Sequence, residues 1–545
     1  MVDSGIRIEN NVLKSREVSR PINFPDLGSL ILEYLEINAD TVAQIDPTTG
    51  KEQTRGEMRD KSIRCALWMR SQGVGVGDVI AISCNDQLIA ATPCFATLLL
   101  GAIVNPLHAE FNTSELRYLL RTNRPKMAFA DEDSAVTLAE AANTEGLHLK
   151  IVVLGQAAGF FEFAKIISEP GVEDIKNFKT TPLESPDAIA TIMYTSGTTG
   201  LPKGVAVSHA VWLKTLLQTL LSCTTHETFI SFASVYWVTG ITSIFMTIFP
   251  RYLAIIPPPF EEHLTCRLTE KYKINRLMLS PNMVIGLVKS DALGKYDLSS
   301  VKTVFYGGSA LDDSLVKRFA KYLPENVSIF SVYGLTETCG RITLRLFNSK
   351  SKQNSCGKPM DNVQMKVVDP ETGRIMGPNE TGELFLKCEG KMFSSYYNNP
   401  EATAEAMDKE GWFHTGDLGY YDEDGEIFIV DRLKEMIKYR NHRISPIEIE
   451  SVLLSHPGVK EVAVVGLPHP EDQERALAFV VKVKRSSDDG EEVTEKELVD
   501  FVAAKLENAK HLHGGVRFVD SLAKTLSQKV RRRFMRELAK SSAQQ

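Results

Sequence analysis

No two of the eight cysteines in this 545-residue chain form a Cys-x-x-Cys pair. Cys65, Cys84, Cys94, Cys223, Cys266, Cys339, Cys356 and Cys388 are scattered, which argues against a zinc ribbon and a compact disulfide framework. Reduced thiols in a reducing compartment are expected. An apolar signal core is missing as well: the first twenty residues, MVDSGIRIENNVLKSREVSR, are polar, so a secreted protein is not expected. Long hydrophobic runs are scarce. The longest, residues 88–107, contains Pro93, Gly101, Asn105 and Pro106 and has no charged stop signal beside it. It is expected to be a buried core helix, with no integral membrane segment in the chain. Positive charge is not in excess: 62 Lys and Arg face 69 Asp and Glu, which argues against nucleic acid as a partner. No period of 20 to 50 residues recurs, so a solenoid is not expected. The last residues, Ala543-Gln544-Gln545, are not a Ser-Lys-Leu address.

What is present is ordinary globular protein, with 43% apolar and 24% charged residues. The length allows about three or four units and a large core. Strand-like runs at 79–84, 149–154, 188–194, 276–279 and 301–306 alternate with amphipathic stretches, the pattern of layered α/β sheets. After residue 361 the pattern changes to strands joined by turns. A strand at 363–368 precedes a turn at 369–373, and 419–421 and 427–430 flank the hairpin signal Asp422-Glu423-Asp424-Gly425. A small β-barrel-like unit is expected there. The charged stretch 431–443 then leads into a helix at 446–455, strands at 461–466 and 476–483, an acidic loop at 485–492 and a helix at 494–506. The expected organisation is α/β, with a large N-terminal domain of several subdomains at 1–433 and a small α+β C-terminal domain at 434–545.

The most informative segment follows the strand 189–194. It reads Thr195-Ser196-Gly197-Thr198-Thr199-Gly200-Leu201-Pro202-Lys203-Gly204. Glycines let backbone N–H groups approach an anion, hydroxyls add donors, and Lys203 adds positive charge. A phosphate-binding loop is the physical reading; a plain surface turn is the alternative. It is not the common P-loop, which needs four residues between its glycines and Ser or Thr after the lysine. Gly73-Val74-Gly75-Val76-Gly77-Asp78 mimics a dinucleotide fingerprint, but its glycines precede a strand, so a turn is expected. His209 reads as a helix-start or packing residue, since no second metal ligand stands at helical spacing.

The loop resembles the signature of the adenylate-forming superfamily, which includes acyl-CoA synthetases, beetle luciferases and peptide-synthetase adenylation domains. The resemblance continues in order through Tyr306-Gly307-Gly308-Ser309-Ala310-Leu311, Tyr333-Gly334-Leu335-Thr336-Glu337-Thr338, His414-Thr415-Gly416-Asp417, Asp431-Arg432-Leu433-Lys434 and Lys529. Asn399-Pro400-Glu401-Ala402-Thr403, Gly411-Trp412 and the run 433–439 are most similar to insect luciferase-like acyl-CoA synthetases and coumarate-CoA ligases. The resemblance implies that a carboxylic acid is joined to ATP and then passed to coenzyme A, with Mg²⁺ as cofactor and a medium- or long-chain fatty acid or an aryl acid as substrate. It also implies a mobile C-terminal domain. A monomer, in the cytoplasm or peroxisome, is expected.

The same resemblance distributes roles. Thr195, Ser196, Gly197, Thr198, Thr199, Gly200 and Lys203 would hold the β- and γ-phosphates, and Thr336 the α-phosphate. Glu337 would hold the metal, a hard cation suited to carboxylate and phosphate oxygens. Tyr333 and Gly334 would meet adenine, with Gly308, Ser309 and Ala310 walling the slot. Asp417 would accept from both ribose hydroxyls, with Arg432 beside it. Lys529 would reach carboxylate and α-phosphate, and Lys438 would serve the second half-reaction after rotation about Lys434. The acyl pocket would involve Tyr236, Trp237, Gly240, Gly307, Gly308, Cys339 and Arg341.

The chain departs from the family pattern at several positions. Ala523 and Gln528 replace the proline and glycine around the final lysine, Asn441 replaces a loop glycine, and Trp237 stands where many relatives have histidine. Residues 231–241 contain no Asp or Glu, so an ammonium-bearing substrate would lack a counter-charge there. Arg341 stands where luciferases have small residues, so efficient light emission is not expected. A luciferase-type oxygenase and a degenerate nucleotide- or acyl-binding protein are the competing readings. The basic stretch Arg531, Arg532, Arg533 and Arg536 is expected to be a solvated helix face.

Overall fold

The computed structural model describes residues 5–541 except residues 20, 86, 169–171, 196–201, 222–224, 349, 389, 391, 441, 484–492 and 525–529. The fold is mixed α/β. It divides into two compact units. The first comprises residues 1–5, 15–364 and 387–411; the second comprises residues 6–14, 365–386 and 412–545.

The first unit holds two large sheets. One has eight strands, in the order Ser395–Tyr396, Lys203–Ser208, Ile189–Thr195, Ile103–Leu107, Val79–Ser83, Met127–Ala130, Lys150–Val153 and Phe161–Glu162. The strands from Ile189–Thr195 to Phe161–Glu162 run parallel, and the two beyond Ile189–Thr195 are antiparallel. Val79–Ser83 is buried at every position, as a parallel strand covered on both faces must be. The other sheet has nine strands, and its central strands are parallel from Ser328–Leu335 through Thr303–Gly307, Arg276–Leu279, Glu227–Ser231 and Tyr252–Ile255 to Val42–Ile45. Gly340–Phe347 and Lys358–Pro359 extend one edge antiparallel. Leu277, Leu279, Val304 and Tyr306 share its core with Val284, Leu287 and Phe319 of the covering helices.

The apolar run 88–107 is not one helix. The helix Gln87–Leu99 tolerates Pro93 in its interior, where Thr97 donates to the Pro93 carbonyl at 2.7 Å. The chain then turns at Gly101, with φ +67°, into the strand Ile103–Leu107. Both halves are almost entirely buried, so periodicity could not separate them, and Gly101 marked the break. Among the described residues no helix is long and apolar enough to cross a membrane.

The second unit carries a six-stranded sheet in the order Arg7–Glu9, Val12–Lys14, Val363–Val368, Gly382–Cys388, Phe413–Tyr421 and Ile427–Arg432. This is the small β-rich part expected after residue 361, with an N-terminal hairpin added to its edge. A five-stranded sheet follows, built from His442–Ile444, Ile437–Tyr439, Gln473–Lys482, Val459–His469 and Val516–Phe518. The helices Pro446–Leu454 and Glu495–Ala503 pack on it through Ile449, Leu453, Leu498 and Val502.

The basic stretch is a helix, Arg532–Ser541, but not a uniformly solvated face. The Arg532 side chain is only 14% exposed and pairs twice with Glu450, at 2.5 and 2.8 Å. Arg536 donates to the Glu435 carbonyl at 3.0 Å. The charge pattern alone could not reveal the acids that the five-stranded sheet brings opposite. The described cysteines are free thiols.

Candidate active site

The phosphate-loop segment joins two antiparallel strands. Ile189–Thr195 pairs with Lys203–Ser208, and Thr195 opposite Lys203 closes the ladder. The two residues therefore stand at the mouth of the connection. Ser196, Gly197, Thr198, Thr199 and Gly200 lie outside the described residues. A polar cavity of about 130 Å³ adjoins this mouth, lined by Tyr118, Asn123, Tyr194, Lys203, Tyr397 and Asn398 among others.

From Lys203 a chain of contacts leads to Glu337. The Lys203 ammonium sits 4.9 Å from the ring centre of Tyr396. Tyr396 belongs to the edge strand paired with Lys203–Ser208, opposite Val205. Its hydroxyl donates to Glu337 Oε1 at 2.6 Å. Glu337 is buried, and its carbonyl accepts from the Phe393 N–H at 2.8 Å. Burying a carboxylate demands partners, and this tyrosine supplies one. Nothing in the motif containing Glu337 pointed to Tyr396, because 59 residues separate them.

The Glu337 segment is a single 3-10 turn, Thr336–Thr338, at the end of the strand Ser328–Leu335. Thr338 pins the turn, its hydroxyl accepting from Leu335 N–H at 3.0 Å and lying 2.8 Å from the Gly340 carbonyl. Cys339 follows in the left-handed region, φ +50°, a conformation uncommon for a side-chain-bearing residue. Gly334 admits no side chain: a Cβ there would lie 2.1 Å from the Gly340 carbonyl oxygen. Thr336 and Tyr333 are half-buried.

Gly307 ends the neighbouring parallel strand, opposite Val332. That register places Gly308, Ser309 and Ala310, all exposed, beside the end of the strand that carries Tyr333 and Gly334. The carboxyl ends of parallel strands are where open α/β sheets bind ligands. Gly308 turns the chain there at φ +96°.

The candidate acyl-pocket residues divide. Tyr236 is buried in an aromatic cluster, stacked on Tyr194 at 5.6 Å and met edge-on by His108, Phe111 and Trp237. Burial drives its phenol pKa upward. His108 and Phe111 were absent from the sequence reading, since a lone His and Phe carry no pattern. Trp237 is half-buried and caps the helix Val238–Met246, within which Gly240 lies too close to the Ser234 carbonyl for any Cβ. Cys339 is buried, and the Arg341 guanidinium packs 5.4 Å from the Phe305 ring centre. His209 starts the helix His209–Leu221 and accepts from the Leu27 N–H through Nδ1 at 3.1 Å, a structural placement.

Within the second unit, Asp417 and Arg432 face each other across a hairpin and form an ion pair of 2.6 Å. Asp417 is buried and its N–H donates to the Thr415 hydroxyl at 3.0 Å. Gly416 takes φ +70° and donates to Glu383 at 2.9 Å. Lys434 is exposed, just past this hairpin. Lys438 is also exposed, and its N–H is held by Glu474 at 2.8 Å. Asn441 lies outside the described residues; Arg440 takes φ +52°. Gln528 and Lys529 also lie outside the described residues.

Among the described residues no cluster of three His, Cys, Asp or Glu could cage a metal. The buried carboxylate of Glu337 does suit Mg²⁺, which binds through one or two carboxylates and completes its shell with water and substrate phosphates.

Comparison with known proteins identifies a family. Residues 33–397 match the AMP-binding enzyme family, and residues 448–529 match the AMP-binding enzyme C-terminal domain. The chain is 32% identical to a luciferin 4-monooxygenase of Nipponoluciola cruciata, with 98% of each chain covered. It is 31% identical to the peroxisomal OPC-8:0-CoA ligase 1 of Arabidopsis thaliana, covering 99% of this chain and 98% of the relative. ATP-bound MatB from Rhodopseudomonas palustris superposes with a TM-score of 0.83 at 25% identity, covering 94% of this chain and 99% of that one. With its ordered motifs, its strand-end loops and a match over most of its length, the chain belongs to the AMP-binding, adenylate-forming enzyme family.

Proposed function

We propose that this protein is an acid–thiol ligase that makes an acyl-adenylate and passes the acyl group to coenzyme A, with a fatty or aryl acid as substrate. The observation that carries the reading is the contact chain from Lys203 through Tyr396 to the buried Glu337, which sets a cation and a carboxylate at one loop mouth. Adenylation needs both, because two anions must meet.

In the first step a carboxylate oxygen attacks the α-phosphorus of ATP. The bond to the β-phosphate oxygen breaks, and pyrophosphate leaves. Residues 195–200 and Lys203 are assigned to the β- and γ-phosphates, and Thr336 to the α-phosphate. Tyr333 and Gly334 take adenine beside Gly308, Ser309 and Ala310. Asp417 takes the ribose hydroxyls, a task for which Arg432 already orients its carboxylate. Mg²⁺ held by Glu337 would offset phosphate charge. Lys529 bridges the two anions as a point charge on a long stem.

In the second step the thiol sulfur attacks the acyl carbon, its proton passes to solvent, and AMP leaves. Residues 434–545 are assigned as the mobile domain, Lys434 as its hinge and Lys438 as the group serving this step. Arg341 in the acyl region argues against efficient light emission.

The test is acid-dependent pyrophosphate release over acids of varied chain length and ring content, with and without coenzyme A. Release should need an acid, and a thioester should form only with coenzyme A. Lys529→Ala should suppress adenylation far more than thioester formation from pre-made acyl-adenylate. Equal loss of both, or no release with any acid, contradicts the proposal. Light on mixing with luciferin, ATP and Mg²⁺ would favour the luciferase reading.

A further inference from the structure

Two guanidinium groups flank one aromatic ring on the nine-stranded sheet. Arg276 lies 4.9 Å, and Arg341 5.4 Å, from the ring centre of Phe305. Arg276 is neutralised by Glu227, 2.6 Å from its Nε. Its cation also lies over the ring of Tyr252. Arg341 is treated differently: among the described residues its guanidinium has neither an ion-pair partner nor a hydrogen-bond acceptor. The charged and titratable groups around it are Arg276, Tyr252 and Glu227, the last already engaged. Burial, then the like charge of Arg276, draws its pKa down. A guanidinium nevertheless stays charged at neutral pH.

The position of this cation gives it a use. Phe305 and Gly307 lie two residues apart on one strand and so share a face of the sheet. Val332 pairs with Gly307, and Arg341 pairs with Gly334, two residues further along the same strand. The ring that Arg341 covers is thus about 7 Å before the strand end at which the acid is proposed to react. The half-buried guanidinium keeps its ring contact and leaves its fork of N–H donors for a ligand carboxylate, which it can bind in bidentate fashion.

We propose that Arg341 is a specificity-determining residue that pairs with a second anionic group on the acid. The preferred substrate class is then dicarboxylic: one carboxylate is activated, and the other, across an apolar spacer, is held by Arg341. This deepens the adenylating function proposed above and rests on it.

The test compares α,ω-dicarboxylic acids with monocarboxylic acids of the same chain length, and with their mono-methyl esters, in acid-dependent pyrophosphate release. At the best spacer length the unaltered protein should favour the diacid over both at least about 10-fold in kcat/KM. Arg341→Met keeps the stem and removes the charge. It should lower the diacid-to-monoacid ratio about 100-fold and improve the monoacid, whereas Arg341→Lys should lower the ratio about 10-fold. The ester comparison needs no variant and so holds even if a variant folds poorly. Equal use of diacid and ester, or an unchanged ratio in Arg341→Met, overturns the inference and leaves the adenylating function standing. No release with any acid overturns that function and the inference together.

Discussion

Tyr396 is the residue that reading the chain alone did not find. Its hydroxyl holds Glu337 while its ring carries Lys203, so one side chain positions both a carboxylate and a cation. Tyr396→Phe keeps the ring and removes the donor. A hydrogen bond to a charged group is worth about 1.5–3 kcal/mol, so the Mg²⁺ concentration needed for half-maximal ATP binding should rise at least about 10-fold in titration calorimetry. An unchanged Mg²⁺ dependence would mean that the bond only packs the strand edge. Glu337 itself was legible from its place inside Tyr-Gly-Leu-Thr-Glu. Tyr396 was not, because only the antiparallel edge strand brings Ser395–Tyr396 beside Lys203–Ser208.

Helix starts and strand ends set the next scale. The helix His209–Leu221 begins with a buried imidazole whose Nδ1 accepts from the first residue of another helix, Leu27. Burial pulls the His209 pKa down to about 4, against about 6.5 in an unfolded chain. Above pH 6.5 neither state takes the proton, and stability from this group does not vary. Between 6.5 and 4 the unfolded chain binds a proton that the folded one refuses, so stability falls with pH, by about 2 kcal/mol at pH 5. His209→Asn keeps an acceptor but cannot titrate. Its urea midpoint should therefore drop less than that of the unaltered protein between pH 7 and pH 5. Equal drops would place the acid sensitivity elsewhere. The sequence marked this histidine as a helix start, and the helix indeed begins there. It could not mark the broken run at residues 88–107, where helix and strand share one composition.

At the scale of the folded unit, a buried ion pair joins separate layers. Asp313 opens the helix Asp313–Ala320, and both its oxygens accept from Arg345 of the strand Gly340–Phe347, at 2.8 and 2.6 Å. Both side chains are at most 5% exposed. Removing one partner strands the other charge, which costs about 3–5 kcal/mol. Asp313→Ala should lose that much in chemical unfolding, while Asp313→Asn, which retains one acceptor, should lose less. If the two variants were equally stable, the carboxylate charge would not be what secures Arg345.

What the chain determined by itself is local. Buried parallel strands follow from runs such as Val79–Ser83, the hairpin Phe413–Tyr421 with Ile427–Arg432 from its acidic turn and Gly425, and the phosphate-loop composition from residues 195–204. Each rests on neighbours within a few residues, where backbone sterics and side-chain period act. Tertiary structure alone decided which distant groups meet: Tyr396 with Glu337, Arg532 with Glu450, Arg276 with Glu227, and Arg341 with the Phe305 ring. Chain topology sets those pairings, and elements that meet in space are far apart in the chain, so their charges cannot be matched from sequence spacing.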